Sequence, residues 1–230
     1  DGAYNSNEIR NLVLPRSLKK IGNNSFASNK IKNVVFSNSI EWIGDNAFSG
    51  NQLKSFSMPL SLKYIGAKAF EDNEFWSFRF VEGIEHIGEG AFTSYLTNRN
   101  DSFSNVLILP GTLKEIGDRA FERCNIGTLK LNEGIQRIGE EAFSYNKIER
   151  LVIPDSVKQI GKGAFKSNEI VVLKLPSGYE KIEDRTFYSN KIKDLTIPGT
   201  VKIIDDFAFS FNEIETLILE EGLEVIGERA

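Results

Sequence analysis

The segments IGEEAFSYNKI and IGKGAFKSNEI, starting at Ile138 and Ile160, are nearly the same text 22 residues apart. Phenylalanine marks the beat at Phe26, Phe48, Phe70, Phe92, Phe121, Phe143, Phe165, Phe187 and Phe209, and every interval is 22 except the 29 between Phe92 and Phe121. Isoleucine stands five positions before each, from Ile21 to Ile204, and glycine follows it except at Glu183 and Asp205. Three residues after the phenylalanine come Asn29, Asn51, Asn73, Asn146, Asn168, Asn190 and Asn212, with Tyr95 and Cys124 in the other two units. Tyr4, Asn7 and Ile9 read as a degraded first unit. So short a unit orders more backbone than its few large apolar side chains can offset alone. It holds a shape only when stacked on copies of itself, so the repetition is the core.

Within a unit, IERLVIP (148–154) alternates apolar and polar residues and ends on proline, the pattern of a short strand closed by a turn. VKQIG reads as a second, shorter strand and GKGAFKSN as one helical or 3₁₀ turn. The expected fold is an α/β-type repeat solenoid: a right-handed superhelix of about ten 22-residue coils with a parallel β-sheet on one face, residues 1–230 forming a single domain. The Asn column is expected to satisfy backbone groups that neighbouring coils would leave buried and unpaired, with Cys124 as a small buried substitute. Phe56, Phe75, Phe78 and Phe80 are expected to fill the core. The extra length of the long unit falls in a loop at 93–105, a position where solenoids carry functional insertions. Its Asn98, Asn100 and Asp101 lack the spacing and terminal glutamate of a calcium loop. Ala230 stops one residue before the next expected phenylalanine, so the chain is expected to be a fragment cut within a repeat.

Charge and composition narrow the function. Lys plus Arg number 28 against 32 Asp plus Glu, a net charge of −4, which argues against general affinity for nucleic acid or anionic membrane. No apolar run approaches a membrane span. A single cysteine rules out an internal disulfide or a cysteine-cluster metal site. His86 is the only histidine, and no phosphate loop, nucleophile elbow or His-Glu zinc motif occurs. The expectation is therefore a protein that is not an enzyme, with no cofactor and no metal. Carboxylate neighbours such as Glu140 and Glu141 fall at turns, as solvated edges.

Units such as LVIPDSVKQIGKGAFKSNEI resemble the leucine-rich repeats of the BspA-like class, whose pattern is a strand, IP, xxVxxIG, xxAF, then Cys or Asn. The likeness recurs along nearly the whole chain, in units one residue shorter than is usual there. It implies an exported or surface-displayed protein, commonly bacterial and sometimes from a protist, that binds host or cell-surface molecules. Extracellular or cell-surface localisation and an adhesin-like role follow from the resemblance, not from composition.

Candidate binding residues lie where coils turn side chains outward. On the strand face the basic residues are Arg10, Lys32, Lys54, Arg79, Lys130, Arg150, Lys174 and Lys193, against the acids Glu149, Asp194 and Glu215. That excess suits an acidic protein patch or a sulfated or sialylated glycan; the ordinary alternative is a solvated sheet protected from aggregation. Trp76, in an outward position usually small or charged, is the best single interface anchor. Trp42, Tyr64 and His86 precede the repeated isoleucine in successive units, so stacking sets them in a ladder that offers rings to a sugar or simply ties coils together. The expected partner is a protein or glycan bound by a monomeric, non-catalytic module. A passive spacer is the alternative, and a glycan-active enzyme, which would need two carboxylates in a deep cleft, comes third.

Overall fold

In the computed structural model, which describes residues 1–94 and 105–230, the repeat closes into a parallel β-solenoid of about nine turns. Each turn contributes a longer strand, such as Arg150–Val152, and a two-residue strand, such as Gln159–Ile160. The phenylalanine column is buried, and its rings stack from Phe26 to Phe209 with centroids 5.2 to 5.8 Å apart. Tyr4 continues the stack onto Phe26 at 5.6 Å, as expected for a degraded first unit. Offset ring pairs of this kind add about 0.5–1.5 kcal/mol each beyond their burial. Phe56, Phe75 and Phe78 are buried beside the column, and Phe80 is partly buried against it.

Three expectations need correction. The α component is missing: among the described residues there is no helix, and GKGAFKSN is a pair of tight turns. The residues two before and two after the phenylalanine adopt left-handed backbone, as at Arg119 (φ 55°), Arg123 (φ 57°), Arg185 (φ 54°) and Ser189 (φ 56°). That conformation breaks a helix and turns the N–H groups toward the next coil. Asn24 N, Phe26 N and Ser28 N each donate to Asp45 O, Ala47 O and Ser49 O at 2.8 Å. These bonds offset the cost of left-handed non-glycine residues, of order 1 kcal/mol each.

The turn count is about nine rather than ten, because Tyr4 supplies only a turn and the last strands, Thr216–Leu219 and Val225–Ile226, have no phenylalanine turn to close them. Nor is the sheet confined to one face. Two-residue strands form a ladder of their own, seven strands from Lys20–Ile21 to Gln159–Ile160 and three from Lys181–Ile182 to Val225–Ile226. The longer strands instead pair two by two among the described residues, for example Ser55–Ser57 with Ser77–Arg79.

The Asn column does what its position predicts. Asn146 Nδ2 donates to Phe121 O (2.9 Å), Phe143 O (3.0 Å) and Ser144 O (3.2 Å), while its Oδ1 accepts from Ile126 N (3.0 Å). One buried amide thus joins two coils and satisfies four backbone groups. Cys124, also buried, places Sγ 3.1 Å from Phe92 O.

Glycine after the repeated isoleucine lets neighbouring coils approach closely, although Asp205 holds the same place with the ladder closed. A Cβ added at Gly139 would lie 2.5 Å from Asp118 N, and at Gly161 2.5 Å from Glu140 N. Where Glu183 takes this place, the short-strand ladder opens between Gln159–Ile160 and Lys181–Ile182. Tyr179 occupies the adjoining core position, which is Val157 one coil earlier and Val201 one coil later.

Candidate functional site

The outward side chains separate into groups on different faces. Trp76 is 64% exposed, with Lys54 Nζ 5.1 Å from its ring centroid. With Arg79, Phe80, Val106 and Ile108 it lines an open cleft of about 380 Å³ between the unpaired strands Ser77–Arg79 and Asn105–Leu109. Val106 and Ile108 are half exposed, so indole, aliphatic surface and a guanidinium meet in one place. The sequence pattern gave no sign that the ladder opens beside Ile108. The remainder of the expected 93–105 loop, with Asn98, Asn100 and Asp101, lies outside the described residues.

Lys130 and Arg150 belong elsewhere, lining a second cleft of about 480 Å³ with Thr128, Glu149 and Val152 where Ile126–Leu131 and Arg150–Val152 fail to pair. Among the described residues Arg10, Lys32, Lys54, Arg79, Lys130, Arg150 and Lys174 make no ion pair, whereas Lys193 Nζ faces Glu215 Oε1 at 3.7 Å.

Trp42, Tyr64 and His86 stand on the short-strand ladder, in register with one another. Their rings stack face to face, Trp42 on Tyr64 at 3.6 Å and Tyr64 on His86 at 4.8 Å, and Lys20 Nζ lies 5.0 Å from the Trp42 centroid. The column continues through His86 Nδ1 to Glu115 Oε2 at 4.0 Å and Glu115 Oε1 to Arg137 Nη1 at 2.7 Å. Ring faces that cover one another leave edges for a ligand, so this ladder ties coils together. Burial holds the Tyr64 hydroxyl above its ordinary range, with the Asp45 carboxylate adding to it.

The opened junction at Glu183 was not anticipated. It is a cleft of about 350 Å³ lined by Lys158, Gln159, Tyr179, Lys181 and Glu183. Tyr179 is buried, and its hydroxyl meets no protein partner among the described residues. Burial and then Glu183 push that hydroxyl upward, so it stays protonated. Lys181 Nζ bridges Glu183 Oε2 (2.8 Å) and Asp205 Oδ2 (3.1 Å). The signal in the sequence was the loss of glycine at 183 together with tyrosine in an aliphatic column.

The residues of the repeat, now placed on strands and turns, decide the family. A model of the BspA type leucine rich repeat region, in six copies, matches residues 1–100 and 136–230. The chain belongs to this family. Among solved structures the BspA-type chain is similar to a leucine-rich repeat protein from Bacteroides ovatus, with TM-score 0.59 and 20% identity, over 93% of this chain and 67% of that one. It is also similar to the pneumococcal vaccine antigen PcpA, with TM-score 0.53 and 20% identity, over 93% of this chain and 53% of that one. The chain spans about two thirds and about half of these two structures, and at such identity the likeness is one of fold. No curated protein matches it in sequence. No helix of the described residues is long and apolar enough to cross a membrane, and none of their His, Cys, Asp and Glu side chains group to hold a metal ion.

Proposed function

We propose that this BspA-type solenoid is a non-catalytic recognition module of a bacterial cell-surface or secreted protein, binding a protein or glycan with acidic groups through its longer-strand face. The observation that carries the reading is the cleft in which exposed Trp76 meets Arg79, Val106 and Ile108 on a face rich in unpaired cations. Large exposed aromatics beside free guanidinium groups are the residue types that dominate interface energetics. Kinship with a chain described as a vaccine antigen supports the surface assignment. A panel of glycans and host surface proteins, screened at low and at physiological salt, tests it. Binding should weaken as salt rises, and Trp76→Ala should cost at least ~1 kcal/mol of affinity with unchanged stability. A panel without any ligand supports the passive spacer instead, and affinity indifferent to Trp76 removes that residue from the site.

A further inference from the structure

The first four coils carry a more specific arrangement than an excess of positive charge. In the outward position before the longer strand, successive coils place Arg10, Lys32, Lys54 and Trp76, one above the other at intervals of 22 residues. Paired parallel strands set such neighbours about 4.8 Å apart, as for Arg10 with Lys32 and Lys54 with Trp76, while the longer strands part between Lys32 and Lys54, so three cations and an indole follow one another over at least ~14 Å along the solenoid axis. Lys54 and Trp76 confirm the adjacency, both by the ammonium over the ring and by the Trp76 N to Lys54 O bond of 2.9 Å.

Beside this column runs a second, Asn11, Asn33, Ser55 and Ser77, all exposed and with side chains free of protein partners among the described residues. Registers Asn11 with Asn33 and Ser55 with Ser77 align them pair by pair. The third column runs Val13, Val35, Ser57 and Arg79, its two valines exposed at 91% and 83%. No acid occupies any of these outward positions before Glu149. Two carboxylates stand two residues before the first column: Glu8, engaged by Lys30 at 2.5 Å, whose hydrogen bond and charge hold it below its ordinary range, and the exposed Glu74, which makes no ion pair among the described residues.

A cationic row, an amide and hydroxyl row, and an apolar start to the third row call for a ligand that combines these three properties. Ammonium and guanidinium groups take anionic substituents, amides and hydroxyls take sugar hydroxyls, and valine methyls with the indole take the C–H face of a pyranose ring. We propose that the first four coils bind a linear anionic glycan, sulfated or carboxylated, lying along the solenoid axis. A bare polyanion uses only the first row, and an acidic peptide leaves the second without regular partners. This inference rests on the recognition reading above and names its ligand class and footprint.

The test is titration calorimetry of the whole chain with four probes: a heparin oligosaccharide, its desulfated form, a hyaluronan oligosaccharide and poly-glutamate. The expected result is binding of heparin or hyaluronan that weakens with salt and exceeds binding of poly-glutamate. Preference for heparin assigns sulfate, and preference for hyaluronan assigns carboxylate. Lys32→Ala with Lys54→Ala should raise the Kd about tenfold and flatten the salt dependence. Asn33→Ala with Ser55→Ala should raise it a few fold, whereas Lys114→Ala, on an exposed lysine outside the longer-strand face, should leave it unchanged. Lys54 is half-buried and the others are exposed, and unchanged melting curves verify the fold. Equal binding of poly-glutamate overturns the glycan assignment in favour of an acidic protein segment. Glycan binding indifferent to Lys32 and Lys54 overturns the footprint. Failure of every probe, beside Trp76-dependent binding of a protein from the panel, overturns the glycan and leaves the recognition module standing.

Discussion

Two consecutive junctions of the short-strand ladder join coils of nearly identical sequence, yet only one closes. Between Arg137–Ile138 and Gln159–Ile160, Lys158 N donates to Gln136 O and Gly161 N to Ile138 O, both at 2.9 Å. Between Gln159–Ile160 and Lys181–Ile182, among the described residues, neither Glu180 N nor Glu183 N makes the equivalent bond. The turns beyond still meet at both places: Phe143 N donates to Ala164 O at 2.8 Å and Phe165 N to Thr186 O at 3.0 Å. What differs is a pair of residues: Glu183 brings a Cβ to the place of Gly161, and Tyr179 brings a ring to the place of Val157. A Cβ alone is tolerated, since Asp205 holds the same place one coil later, beside Val201, and its N still donates to Ile182 O at 2.8 Å. The close approach of coils is therefore set by combinations of neighbouring residues, and a ladder opens without unstacking the core.

The largest test crowds the closed junction. Gly161→Ala places a methyl group against backbone and should cost about 3 kcal/mol in urea unfolding. Next, the open junction lacks its ladder and leans on Asn190, whose Nδ2 reaches Phe165 O and Phe187 O while Oδ1 accepts from Ile170 N. Asn190→Ala should cost roughly 2 kcal/mol by orphaning those groups. Conversely, Glu183→Gly combined with Tyr179→Val should close the gap, adding about 1 kcal/mol, on the scale of one net backbone hydrogen bond. Hydrogen exchange should then show the amides at positions 181 and 183 slowing to the rate of Gln159 and Gly161. The smallest effect lies in the turn nearby: Ser189→Gly should stabilise by ~0.5 kcal/mol by relieving left-handed strain, and Ser189→Val should destabilise.

Spacing made the stacking of Phe26 to Phe209 legible before any coordinates, because a fixed period puts like residues on top of one another. The role of the asparagines was legible for the same reason. The AF segment was misread, since Arg119, Glu141 and Arg185 carry no preference for left-handed backbone, and only bonding between coils places them there. Which ladder would be continuous also escaped the sequence, because strand propensity favours the longer segments while close glycine contacts settle the shorter ones. For the candidate site, Trp76 and Arg79 could be named from outward positions. Their meeting with Val106 depended on how far two strands stand apart, which local pattern does not encode. Trp42, Tyr64 and His86 were correctly set in a row, but the ring overlap that occupies their faces is a matter of rotamers.

The open junction also bears on mechanics. A rod of stacked coils pulled lengthwise carries tension through its inter-coil bonds, and at residues 160–183 one of the parallel load paths is absent. The longer strands Arg150–Val152 and Val172–Lys174 still pair across that gap, and where longer strands part, as between Asn33–Val35 and Ser55–Ser57, the short strands Trp42–Ile43 and Tyr64–Ile65 pair instead, so among the described residues each junction keeps at least one path to bear the pull.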